Sequence, residues 1–140
     1  MNLGNREYIA IGIVAIVLIF AYTQGVFSKD RGRDVDASQV TDGSTPSLDQ
    51  SQYVNKATNI HTALQSMFQG FGGDLWTILS DIKALKDADL IETANAYARL
   101  YPNDEYKTLY SIIQGTTAFY FSETYTLKYE QLARMKKLGL

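Results

Sequence analysis

The side chains that could do chemistry are few. Glu92, Glu105 and Glu123 could each pair with Asp81, Asp87 or Asp104 as acid and base. Such a pair needs one carboxyl protonated and the other ionised. His61 is the lone histidine, which excludes a multi-histidine metal site and weakens any Ser-His-Asp scheme. The chain has no cysteine, so it has no disulfide, no thiolate zinc site and no thiol nucleophile. Gly70-Phe71-Gly72-Gly73-Asp74 is glycine-rich but lacks the Gly-Lys-Ser/Thr ending that holds phosphate and magnesium. The expectation is a chain that is not an enzyme and carries no cofactor and no metal.

Aromatic side chains are the more telling group. They make up 12% of the chain, and ten are tyrosines. Phe68, Phe71 and Trp76 surround the glycine loop, and Phe119, Tyr120, Phe121, Tyr125 and Tyr129 crowd the C-terminal region. Either they complete a small core, or some form a face that docks a partner, because amphipathic aromatics supply much of interface energy. The partner-binding candidates are Phe71, Trp76, Phe121, Tyr125 and Tyr129. Lys128, Arg134, Lys136 and Lys137 outnumber Glu123 and Glu130 nearby, which could meet anionic lipid or an acidic neighbour.

The 140 residues, 15.7 kDa in all, leave room for one domain beyond the N-terminal segments. A net charge of -2 argues against a nucleic-acid partner. Ile9 to Tyr22 is uncharged and apolar on every side. Extended from Tyr8 through Phe27, it reaches about 30 Å as a helix, the thickness of a hydrocarbon core. Tyr8, Ile9, Ile13, Ile16, Leu18, Phe20, Tyr22 and Phe27 are therefore read as a single-pass membrane anchor, with aromatics at its ends. The competing readings are a cleaved signal peptide, which lacks a clean small-residue cleavage site, and a buried helix. Arg6 precedes the segment, while Lys29, Arg31 and Arg33 follow it, an asymmetry that places the C-terminal body on the cytoplasmic side.

The expected organisation is a short N-terminus and transmembrane helix over 1–27, a polar linker over 28–52 and a helical domain over 53–140. The linker is rich in Ser, Thr, Asp and Gly, too polar to offset its own ordering entropy. It reads as a spacer, ordered only where a neighbouring surface holds it.

From Tyr53 onward the apolar spacing is helical. A first helix carries Ala57, Ile60, Ala63, Leu64, Met67 and Phe68. A second starts at an Asp74 cap, and a third runs from Asp87 to the Pro102-Asn103 break. A fourth carries Tyr106 to Ile113 and ends at Gly115. A fifth, from about Thr117, carries Phe121, Tyr125, Tyr129 and Leu132. The fold class is all-α, an N-terminal transmembrane helix plus a compact five-helix domain.

This order, with Gly70 to Asp74, Ala88-Asp89-Leu90-Ile91, Ala96-Tyr97, Leu109 and Gly115, resembles one annexin repeat. The resemblance covers residues 55 to 135, and annexins carry four or more such repeats. It implies a compact helical fold. It also implies a calcium site made by glycine-loop carbonyls, at Gly70, Gly72 and Gly73 with adjacent Asp74, and a carboxylate about forty residues on. Ile112 stands there and supplies no oxygen, so the site is degenerate. Asp74 or Glu105 would have to substitute. Glu123 before Thr124, in an aromatic stretch, also has a superficial likeness to the single catalytic glutamate of a lytic transglycosylase.

The expectation for function is a non-enzymatic structural or adaptor protein that braces a protein assembly against a lipid bilayer. Two settings fit: a bacterial envelope, or a phage virion in which the protein links capsid and internal membrane. The expected partners are the lipid membrane and other proteins of the assembly, including capsid proteins, with a homo-oligomer left open. The rival is a calcium-dependent phospholipid-binding module.

Overall fold

The computed structural model describes residues 35–37, 40, 42–68, 74–118, 120 and 122–140. The whole anchor, Gly70 to Gly73, Phe119 and Phe121 lie outside the described residues. Among the described residues there are five α-helices and no strand. None of these helices is long and apolar enough to cross a membrane.

Helix α1 is Gln50–Phe68, starting three residues before the expected boundary. The reason is a reciprocal cap: the Gln52 N–H donates to the Asp49 carboxylate (2.9 Å) and the Asp49 N–H to the Gln52 side chain (3.0 Å). Helix α2, Leu75–Ala84, begins at the anticipated Asp74 cap, whose carboxylate accepts from the Thr77 N–H and hydroxyl. Helix α3, Asp87–Leu100, stops before Pro102, as the sequence requires.

Helix α4, Leu109–Gly115, is capped by Thr108 and Ser111, so Tyr106 sits outside it rather than within. The Tyr106 ring instead lies against Gly115, where a side-chain Cβ would come within 2.7 Å of it. Helix α5, Glu123–Lys137, starts at a Ser122 cap, later than Thr117. It ends in a Schellman motif. Gly139 takes φ +82°, the Leu140 N–H reaches the Met135 carbonyl (3.0 Å) and the Gly139 N–H the Lys136 carbonyl (3.2 Å).

Helix α3 packs against α1 on one side and touches α4, which also touches α1, while α5 packs against α2 and α4. Tyr53, Val54, Ala57, Leu64, Leu79, Ile82, Leu90, Tyr97, Leu109, Ile112, Ile113 and Met135 are buried in one apolar core. Burial of this kind, roughly 25 cal/mol per Å² of apolar surface, is the main stabilising term.

The polar stretch before α1 is held by the chain itself. Its described residues form a strap along α3, running against the helix from Val35 at Asn95 to Asp42 at Asp87 and then turning back along it to Ser47 at Asp89. Val35 pairs with Asn95 in both directions, N–H to Oδ1 (3.1 Å) and side-chain amide to carbonyl (2.9 Å). Ala37 is buried with Ala88 and Ile91, beside Leu138 and Leu140. Helix α3 has no side-chain cap from its own N-cap residue, Lys86. Strap residues serve instead: the Asp87 N–H donates to Asp42 (3.2 Å) and the Ala88 N–H to the Ser44 hydroxyl (3.0 Å). Free N–H groups in a helix's first turn need such acceptors.

Candidate functional site

The aromatic surface of α5 starts from helical spacing. Residues Leu127, Lys128, Gln131, Leu132 and Met135 face inward. That stripe puts Tyr125 and Tyr129, four apart, on another side. The Tyr120 ring packs on Tyr125 edge-on at 5.0 Å between centroids, and Tyr125 on Tyr129 at 4.6 Å. Tyr125 is half-buried, whereas Tyr120 is 66% and Tyr129 49% exposed. Burial, then the Tyr129 hydroxyl beside it, raises the Tyr125 phenol above its ordinary pKa. Of the five residues singled out as partner-binding, Tyr125 and Tyr129 come together here. Trp76 is 43% exposed near the start of α2, while Phe71 and Phe121 are outside the described residues.

Beneath this face, two basic side chains of α5 finish other helices. Lys128 is buried and its ammonium donates to the Gln114 and Thr116 carbonyls (3.0 and 2.6 Å), at the C-terminal end of α4. Burial lowers its pKa, and it also lies 5.4 Å from the Tyr129 ring centroid. Arg134 donates to the Ile82 and Leu85 carbonyls (3.2 and 2.6 Å) at the end of α2 and to Asp87 at the start of α3 (2.8 and 2.7 Å). A cation at a helix C-terminus satisfies orphan carbonyls and opposes the negative end of the helix dipole. The basic excess read along α5 is thus partly internal.

The titratable residues serve packing in the same way. The His61 Nδ1 lies 2.9 Å from the buried Tyr97 hydroxyl and its Nε2 3.4 Å from Asp104, while its ring stacks on Tyr101 at 3.7 Å. Nδ1 is hydrogen-bonded, Nε2 faces the Asp104 carboxylate and one ring face is covered. Burial lowers the His61 pKa, against an opposing push from Asp104. Burial pushes the Asp89 carboxyl up, but bonds from the Ser47 N–H, the Tyr53 hydroxyl and the Ser47 hydroxyl (2.8, 2.6 and 2.7 Å) outweigh it and hold it below the ordinary value. The same burial, with the carboxylate, pushes the Tyr53 phenol up to about 12. Asp87 is engaged by Arg134 and Asp104 by His61, while Asp81, Glu105 and Glu123 are exposed and Glu92 half-buried.

Ile112, at the carboxylate position of the annexin pattern, is fully buried in the core, and the Asp74 carboxylate is engaged as the α2 cap. Among the described residues, no three His, Asp or Glu side chains gather as metal ligands. A groove of about 370 Å³ between α1 and α2 is lined by Lys56, Asn59, Ile60, Asp81, Ile82, Ala84 and Leu85. Among the described residues, every buried side-chain nitrogen and oxygen has a hydrogen-bond partner.

Of the two residues that hold the strap, sequence reasoning named Asp89 only within the annexin-like pattern and did not single out Asn95; nor did it separate the roles of Lys128 and Arg134. For Asp89 and Asn95 the available signal was position: each is flanked in sequence by apolar residues, Ala88 and Leu90 for one and Ala94 and Ala96 for the other. The chain matches no protein-family model, no curated protein and no solved structure.

Proposed function

We propose that this chain is a non-enzymatic, membrane-anchored adaptor. Its apolar N-terminal segment spans a bilayer, and its helical body grips a protein neighbour through the tyrosines of α5. The observation that carries the protein-binding half is the Tyr120–Tyr125–Tyr129 ladder, two of whose rings stand largely in solvent. Exposed amphipathic aromatics of this kind are over-represented in interface centres. The Nδ1 bond of His61 to Tyr97 and the structural engagement of Asp87, Asp89 and Asp104 favour binding over catalysis. Support for the membrane half comes from the sequence, in the uncharged run from Ile9 to Tyr22.

The transmembrane helix and the kinship with a single annexin repeat belong to this proposal, as do the phage-virion and bacterial-envelope settings. A buried Ile112 and a capping Asp74 weigh against calcium-dependent lipid binding.

The test is a photo-crosslinking residue placed at Tyr129 and, as a control, at exposed Asn103, in the native membrane or particle. One dominant protein adduct from position 129, absent from position 103, is the expected result. Normal assembly of a Tyr125→Ala, Tyr129→Ala chain would rule the face out as the interface. Extraction of the full chain from membranes by alkaline carbonate would rule out the anchor.

A further inference from the structure

We infer that the strap along α3 is a releasable tether, a second, longer reach folded against the body and set free without unfolding it. The inference rests on the anchoring proposed above only for its consequence, not for the strap itself. Three observations carry it.

First, the strap is attached mainly by polar bonds. Asn95 holds both backbone groups of Val35, and Asp89 holds the N–H and hydroxyl of Ser47. Asp42 and Ser44 accept from the first N–H groups of α3. Its buried apolar contribution is small, with Ala37 buried and Val35, Val40 and Leu48 partly so. Segments with few buried apolar contacts open at lower free energy than the helices beneath them.

Second, both surfaces tolerate separation. Asp42, Gly43, Thr45, Pro46, Ser47 and Asp49 are already exposed. On the helix side the groups uncovered include Asp89 and Asn95, which water satisfies, together with the small apolar patch of Ala88 and Ile91.

Third, the geometry gives release a purpose. Between Asn95 and Asp89 the docked strap advances only about 9 Å along the α3 axis. The same chain from Val35 to Ser47, fully extended, reaches about 40 Å. Release therefore adds up to about 30 Å of reach between the membrane segment and the body, and leaves the first N–H groups of α3 to water.

The experiment is amide hydrogen exchange on the full chain in detergent micelles. The N–H groups of Val35, Ser47 and Leu48 are each bonded in the docked state. They are expected to exchange at least about tenfold faster than those in the middle of α3. Asn95→Ala should raise the strap rates by a further factor of about ten, leaving α1 and α5 unchanged. Ser47→Ala, which removes only an exposed hydroxyl's bond to Asp89, provides a milder variant should Asn95→Ala fail to fold. It should raise the Ser47 and Leu48 rates alone, by about threefold.

Identical rates in strap and α3 would mean a single cooperative unit and overturn the inference. So would unchanged strap rates in both variants. Energy transfer between a dye at Asn103 and a labelled nanodisc surface then reads the reach, which should lengthen in Asn95→Ala. If the chain does not enter the nanodisc, anchoring fails while the exchange result stands. If it enters and the reach does not lengthen, the tether role fails alone.

Discussion

Replacing Arg134 with alanine tests whether one side chain joins three helices. The guanidinium makes two contacts to Asp87 and one each to the Ile82 and Leu85 carbonyls, at 2.6–3.2 Å. It and Asp87 are only 24% and 16% exposed, so solvent screens the pair incompletely. Hydrogen bonds to a charged group contribute about 1.5–3 kcal/mol each, and a set sharing one side chain adds less than its sum. Part of the loss is recovered because the Asp87 carboxylate stays favourable in the first turn of α3. A net loss of about 3 kcal/mol follows, a large share of the roughly 5–15 kcal/mol available to a body of this size. In a thermal melt followed by helical circular dichroism, that corresponds to a fall of about 15 °C. Arg134→Lys keeps a point charge but loses the planar fork, and should fall between the two. A double-mutant cycle with Asp87→Asn should show coupling of at least about 1 kcal/mol. A melting point within about 3 °C of wild type for Arg134→Ala would refute the reasoning, because a true three-helix joint cannot be removed so cheaply.

Other consequences follow from the same packing. Lys128→Ala leaves the buried Thr116 carbonyl and the part-buried Gln114 carbonyl without their donor and should destabilise the chain by about 2 kcal/mol in urea, whereas exposed Lys136→Ala should stay within about 0.5 kcal/mol. Gly139→Ala forces an L side chain into positive φ with open space around it, so a loss of about 1 kcal/mol from backbone alone should appear in the same assay. His61 has a folded pKa below its ordinary 6.5, so the unfolded chain binds the proton first as pH falls. Its stability contribution is present above pH 6.5 and is lost progressively as pH drops from there toward the folded value. His61→Gln should flatten that part of the stability–pH curve. Asp89 has a lowered pKa as well, so its contribution is present above its ordinary 3.8 and lost as pH falls through the folded value. Asp89→Asn should remove that acid-side slope in urea titrations repeated across pH.

The order of the helices was legible because it rests on local signals. The Asp74 cap, the Pro102 stop and the apolar spacing of α1 and α3 are read from a few consecutive residues. Boundaries slipped where the deciding partner was less obvious: the Asp49–Gln52 cap moved the start of α1, and the Ser122 cap moved that of α5. What stayed hidden depends on contacts across long stretches of chain. Composition marks residues 42–49 as soluble spacer, and only the folded α3 offers Asp89 and two uncapped N–H groups to hold them. The aromatic ladder was half legible. The spacing of Tyr125 and Tyr129 predicted a shared face, but whether it faced inward was decided by Leu127, Leu132 and Met135 taking the core. The place of His61 between Tyr97 and Asp104 was not legible, because both partners lie far away in the chain.

The two cationic caps on α5 also bear on how the protein is made. Synthesis delivers α5 after the other four helices, and domains tend to fold as units once their last essential part is out. Until Lys128 and Arg134 have emerged from the ribosome, the carbonyls at the C-terminal ends of α4 and α2 lack these donors. The nascent body therefore waits for one lysine and one arginine head to lock it. Quality-control factors would meet this chain in that interval, and a stalled or frameshifted product lacking those heads would stay open to degradation.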